Sequence, residues 1–114
     1  MPKLRKFNRI RGRRRLFLKG LANNLVVYES IETTVPRAKE IRPMVERLVS
    51  IAKKQNLVSF RRLTAVLPKA AAEKLFYEIA PRYAKRNGGY LRIVKDNRRR
   101  KRDSVALATI EFIA

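Results

Sequence analysis

Positive charge in this chain is segregated, and that restricts where a core can form. Residues 1–20 carry nine Lys/Arg and no acid, and residues 82–102 carry ten against one. The intervening residues 21–81 hold ten basic and six acidic side chains, and the last twelve residues hold none basic and two acidic. A nearly balanced body therefore wears two cationic clusters. A net charge of +20 on 114 residues opposes folding by self-repulsion, and no hydrophobic core requires it. The partner this implies is a polyanion. Nucleic acid supplies closely spaced phosphates, and each Lys or Arg that displaces a condensed counterion adds affinity that weakens as salt rises. The runs Arg13-Arg14-Arg15 and Arg98-Arg99-Arg100-Lys101-Arg102 favour arginine, whose planar fork grips phosphate in bidentate fashion.

Length allows one domain, and 46% hydrophobic residues suffice for a modest core. A chain of this size leaves roughly a third of its unfolded surface exposed, so stability is marginal without the partner. There is no cysteine and no histidine. Disulfides, thiolate catalysis and Cys-based zinc sites are excluded, and the commonest general base is missing. A cytoplasmic protein without metal or cofactor fits best. The apolar stretches Leu25–Val27 and Val105–Ile110 are far too short to span a bilayer, and the basic N-terminus has no apolar signal core.

Residues 1–12 lack periodicity and read as an extended basic arm, with 13–114 as a single domain. From Arg13, Leu18, Leu21, Leu25 and Tyr28 recur at helical spacing. The arginines then sit on the N-terminal turns, where cations oppose the helix dipole. Ser30–Val35 is rich in β-branched residues and reads as a strand. Pro36 suits the first turn of a helix whose apolar stripe is Ala38, Ile41, Met44, Val45, Leu48, Ile51 and Ala52, with a kink expected at Lys39–Pro43. Asn56–Leu67 and Lys69–Ala80 read as two further helices, the latter with Ala72, Leu75, Phe76 and Ile79 inward and Pro81 bending or ending it. Gly88-Gly89 is a helix stop with positive φ. Tyr90–Lys95 and Ser104–Ile113 have strand composition, joined by a basic hairpin loop at 96–103. The order α-β-α-α-α-β-β predicts a two-layer α+β fold with a three-stranded sheet packed against helices.

Candidate polyanion contacts in the arm and first helix are Lys3, Arg5, Lys6, Arg9, Arg11, Arg13, Arg14, Arg15 and Lys19, and in the hairpin loop Arg98, Arg99, Arg100, Lys101 and Arg102. Such runs alone also suit DNA or an anionic membrane surface. Phe7, Tyr83 and Tyr90 lie beside basic residues where they can stack on bases, and Asn8 can read a base edge. Phe17, Phe60, Phe76, Tyr77 and Phe112, in periodic apolar segments, are expected in the core. Two other functions compete: a DNA-binding regulator using residues 57–80 as a helix-turn-helix, and a small basic ribonuclease using Tyr83, Tyr90, Arg82 and Arg92. Against the first, Lys69–Ala80 offers mainly Ala, Lys and Glu outside its apolar stripe. Against the second, the acids are surrounded by basic neighbours and read as ordinary surface ion pairs.

Leu25-Val26, Glu29 and the run Ile31-Glu32-Thr33-Thr34-Val35-Pro36-Arg37-Ala38-Lys39-Glu40-Ile41-Arg42 resemble the signature of the bacterial ribosomal large-subunit protein L-seventeen family. Arg5-Lys6-Phe7-Asn8-Arg9 and Arg13-Arg14 resemble its basic arm. Ala72-Glu73-Lys74-Leu75-Phe76, Pro81-Arg82-Tyr83, Arg86, Gly88-Gly89-Tyr90 and Arg92-Ile93 resemble its last helix and hairpin entrance. The resemblance runs from about residue 5 to residue 113. It implies an α+β fold, no enzymatic activity, and a place near the peptide exit tunnel mouth. The implied partners are large-subunit (23S) rRNA and neighbouring large-subunit ribosomal proteins, with no small-molecule substrate and no membrane. It adds Arg37, Arg82, Arg86 and Arg92 to the candidate RNA contacts. Two departures stand out: Arg13 replaces the family's usual histidine, and Asn97–Arg102 has lost the glycines common in that loop.

Overall fold

The computed structural model describes residues 11–113, with no side-chain description at positions 11, 12, 14, 97 and 98. The arm candidates Lys3, Arg5, Lys6, Phe7, Asn8 and Arg9 lie outside the described residues. Helix α1 (Arg11–Tyr28) leads into strand β1 (Ser30–Thr34), then helices α2 (Val35–Ala52) and α3 (Leu57–Val66). A continuous helical stretch follows, made of α4 (Lys69–Lys74), a π-helical segment (Leu75–Ile79) and α5 (Ala80–Arg82). Strands β2 (Leu91–Arg99) and β3 (Ala106–Phe112) complete an antiparallel sheet in the order β1-β3-β2. This is the expected α+β architecture.

Helix α2 lies across all three strands and α1 packs on α2, β1 and α4, which gives the two layers. The core joins Leu25 and Val26 of α1, Ile41, Val45, Leu48 and Val49 of α2, Leu63 of α3, Leu75 and Ile79 of the π-helical segment, and Ala108 and Ile110 of β3. Strand β3 is central, so its alternate residues Ala108, Ile110 and Phe112 are buried under α2 while the residues between them are less covered. That is the period-two pattern legible in its sequence. Pro43 is exposed and α2 continues through it as one helix. With the proline ring on the solvent side, the carbonyl it leaves without a donor opens to water.

Two local devices set the helix ends. Asn56 caps α3: its Oδ1 accepts from the Ser59 N–H at 2.8 Å, while the Ser59 hydroxyl accepts from the Asn56 N–H at 3.2 Å, a reciprocal capping box. Gly88 and Gly89 take φ of +101° and +63°, the left-handed conformations expected after the helical stretch.

Three expectations differ from the structure. Strand β2 runs to Arg99, beyond Lys95, with a register irregularity between Lys95 and Arg99, so Arg98 lies within the strand and Arg99 pairs with Ala106 rather than both standing in a free loop. The pairing partner β3 is long enough to zip past the charged residues, and the bulge absorbs the extra ones. Tyr77 is 66% exposed rather than in the core. It falls outside the inward stripe of Ala72, Leu75, Phe76 and Ile79, so its place in an apolar segment does not bury it. Tyr83 and Tyr90, read as base-stacking candidates, are 4% and 2% exposed. Their rings pack at 5.3 Å, and Tyr83 stacks on Phe112 at 6.3 Å.

Candidate nucleic-acid interface

Register and element length decide where the cations go. Strand β1 returns antiparallel to α1: the 18-residue helix descends about 27 Å and the five-residue strand climbs back about 17 Å. Residues just past β1 therefore meet the N-terminal half of α1, and the Arg37 guanidinium carbon sits over the Phe17 ring at 5.0 Å. Thr34 pairs with Leu107, so the β2–β3 turn projects beyond the same end of the sheet. The start of α1, the start of α2 and the hairpin tip thus share one end of the molecule. Arg13, Arg15, Arg99, Arg100, Lys101 and Arg102 are exposed there, with Lys19 and Arg37 half-buried nearby. Both helix N-termini add partial positive charge, and neither first turn holds an acid.

The hairpin tip is built around Asp103. Its carboxylate accepts from Arg100 at 3.0 Å and 2.6 Å, and from the Val105 N–H at 3.3 Å, an Asx-type turn. The Ser104 N–H donates to the Arg100 carbonyl at 2.8 Å and Ser104 itself takes φ +54°. Arg99 donates to the Ser104 carbonyl at 2.9 Å. The Arg100 hydrogen bond holds the Asp103 carboxyl down at about 2, even though both groups face water. Lys101 and Arg102 are exposed at the apex, and among the described residues neither has an ionic partner.

The other candidates lie elsewhere. Arg82, Arg86 and Arg92 sit at the opposite end, where Leu91 pairs with Phe112 and the Ile113 N–H donates to the Tyr90 carbonyl at 3.0 Å. Arg82 grips Glu29 through its two terminal guanidinium nitrogens, and Lys74 reaches the same carboxylate at 3.3 Å. That Arg82 hydrogen bond lowers the Glu29 pKa and raises that of Arg82 itself. Arg92 pairs with Glu111 across the strands at 2.7 Å. Arg86 is exposed, while its carbonyl accepts from the Lys53 ammonium. Lys53 also donates to the Tyr90 hydroxyl at 3.0 Å. Burial alone would raise the Tyr90 pKa, but hydrogen bonds from Lys53 and Ser50 outweigh it and lower it. Tyr83 is raised, first by burial, and donates its hydroxyl proton to the Ile113 carbonyl. The two phenols are thus structural anchors, and the ribonuclease constellation of Tyr83, Tyr90, Arg82 and Arg92 is consumed by internal bonds.

Two features escaped the sequence reading. Arg61 and Arg62 are exposed on α3, a helix with no acid of its own, so no partner is available three or four residues away. The absence of acid between positions 57 and 66 was a usable signal. Asp103, counted only as part of the acidic end, organises the tip, and its Arg-x-x-Asp spacing before a strand was the signal for it.

A sequence model of the family described as Ribosomal protein L17 matches residues 17–113. The chain belongs to that family. It is 46% identical over 112 residues to Large ribosomal subunit protein bL17 of Hydrogenobaculum sp., covering 97% of this chain and 95% of that one. Against the bL17 of Agrobacterium fabrum it is 46% identical over 110 residues, 96% of this chain and 77% of the relative. Against that of Thermodesulfovibrio yellowstonii the figures are 44% over 110 residues, 96% and 82%. Membership of the L17 family makes this a structural ribosomal protein and not an enzyme. Among the described residues no helix is long and apolar enough to cross a membrane.

Proposed function

We propose that this L17-family chain is a constituent of the large ribosomal subunit that binds folded 23S rRNA with one end of its domain. The basic arm and first helix on one side and the hairpin tip on the other enter between RNA helices and screen their phosphate repulsion. The observation that carries this is the shared end: the Arg37–Phe17 contact and the Thr34–Leu107 register bring two clusters about eighty residues apart in sequence to one surface. Mechanism here means neutralisation plus shape, since no bound group has to react. Arg13, Arg14, Arg15, Lys19, Arg37, Arg98, Arg99, Lys101 and Arg102 are the contacts it assigns first, with Arg11 at the start of α1 and Lys3, Arg5, Lys6, Phe7, Asn8 and Arg9 from the arm, while Arg100 is held by Asp103. Arg82 and Arg92 contribute mainly to the fold through Glu29 and Glu111, and Arg86 faces a different region. The position near the exit tunnel mouth, beside other large-subunit proteins, rests on the family resemblance.

The test is binding to large-subunit rRNA as a function of salt. Replacing Lys101 or Arg102 by Ala should each lower the slope of log affinity against log salt by up to about 0.9, the release of one counterion. Arg92→Ala should leave the slope nearly unchanged. Affinity independent of salt would refute the reading.

A further inference from the structure

Between α1 and the C-terminal end of α3 lies an open groove of about 340 Å³, lined by Lys19, Gly20 and Asn23 on one side and by Thr64 to Pro68 on the other. Of its lining residues only Lys19 is among the contacts expected from sequence. Its floor is costly to build. Gly20 lies in the interior of an 18-residue helix, where glycine is the poorest former after proline. Nothing among the described residues explains it: a Cβ placed on Gly20 would meet no atom within 4 Å, and the φ there is not positive. The next outward positions, Asn23 and Asn24, are also poor helix formers, and among the described residues neither side chain has a hydrogen-bond partner. The opposite wall contributes an acceptor. Thr64 lies in the last turn of α3, where carbonyls have no intrahelical donor, and position 68, a proline, brings none.

We infer that this groove seats one sugar-phosphate step of an rRNA strand, whose backbone approaches the Gly20 main chain more closely than any side chain would permit. The chemistry is complementary. Lys19 supplies a cation for the phosphate, Asn23 a donor and acceptor, and the Thr64 carbonyl an acceptor for a 2′-hydroxyl, the group that distinguishes RNA from DNA. Helix α1 has no acid to repel the strand, and Arg61 and Arg62 on α3 extend the positive surface beside the groove. This inference deepens the proposed function and rests on it.

Gly20→Ala and Gly20→Gln put good helix formers into open space, so both should raise the melting temperature of the free protein, Gly20→Ala by about 4 °C. Both should nevertheless weaken binding to deproteinised large-subunit rRNA at fixed salt, Gly20→Gln about tenfold, which corresponds to about 1.4 kcal/mol. The salt slope should stay that of the unsubstituted chain, because no charge is removed, while Lys19→Ala should flatten it. Variants that are more stable and bind rRNA with unchanged affinity would overturn the groove assignment while leaving the tip reading intact. A lower melting temperature would also overturn it, since the space above Gly20 would then be occupied. Unchanged rRNA affinity with poor incorporation into whole subunits would make the occupant a neighbouring protein and refute the RNA assignment. If the unsubstituted chain itself failed to bind rRNA, the proposed function would fail first.

Discussion

A single carboxylate shapes the hairpin tip. Because Arg100 depresses the Asp103 pKa from 3.8 to about 2, the contact is complete above the ordinary carboxylate range and is lost as pH falls through about 2. Titration of the Asp103 carboxyl by NMR should therefore give a midpoint near 2 in the folded protein, and a value near 3.8 would show that the pair does not form in solution. Asp103→Asn should release Arg100 and raise affinity for RNA at low salt, since the tip then presents one more unpaired cation. Glu29 plays the corresponding part at the other end. It takes φ +63° at the junction of α1 and β1, accepts from Arg82 and Lys74, and its carbonyl receives the Phe112 N–H at 3.1 Å. Glu29→Gln should cost about 1 kcal/mol in denaturant unfolding, near the top of the range for partly exposed pairs, and leave the rRNA salt slope unaltered. A changed slope would mean that Arg82, once freed, joins the interface.

At the scale of elements, the π-helical segment has a definite cause. Pro81 lacks an N–H and its ring would crowd the carbonyl of Tyr77 in a straight α-helix. The wider turn at Leu75–Ile79 relieves that crowding, with the Ala80 N–H bonding the Leu75 carbonyl. In that register the Phe76 carbonyl would look to position 81, where there is no donor. Gln55 supplies one: its Nε2 donates to the Phe76 carbonyl and to the Ala52 carbonyl, both at 2.8 Å, from a left-handed backbone at φ +53°. Gln55→Leu should destabilise the fold by about 1–2 kcal/mol, the cost of an unpaired, partly buried carbonyl. The loss should shrink in a Pro81→Ala background, where position 81 regains its N–H. A double-mutant cycle in chemical denaturation measures this coupling, and strict additivity would contradict the account. The helical period of Ala72, Leu75, Phe76 and Ile79 is readable from sequence and those residues are buried; the same period turns Tyr77 outward, and aromatic character alone is what suggests burial there.

For the whole molecule, the decisive property is that the exposed cations of early α1 and those of the hairpin tip lie at one pole. The chain contains no cysteine, so cleavage probes can be attached at single introduced positions. Probes on Arg15→Cys and Lys101→Cys should cut overlapping stretches of 23S rRNA in the assembled subunit, whereas a probe on Arg86→Cys should cut elsewhere or not at all. Footprints from the first two that never overlap would contradict the shared interface.

Sequence alone determined the electrostatic character, the helices and strands, most of the core, and the family. Charge and hydrophobic period are local properties, written residue by residue along the chain. It also identified Pro36, Asn56 and Gly88-Gly89 as boundary residues, because capping and φ preferences act over a few positions. Only the tertiary structure decided which cations are free. Arg82 and Arg92 resemble their neighbours in sequence, yet each is held by a carboxylate that the fold delivers, Glu29 from 53 positions away and Glu111 from 19. Tyr83 and Tyr90 sit among basic residues and are nevertheless core anchors, since the return of β3 and the end of α2 close over them. Gly20 became informative only when the space above it proved open. Ion pairing, burial and open surface depend on contacts distant in sequence, and strand register, not composition, sets those contacts.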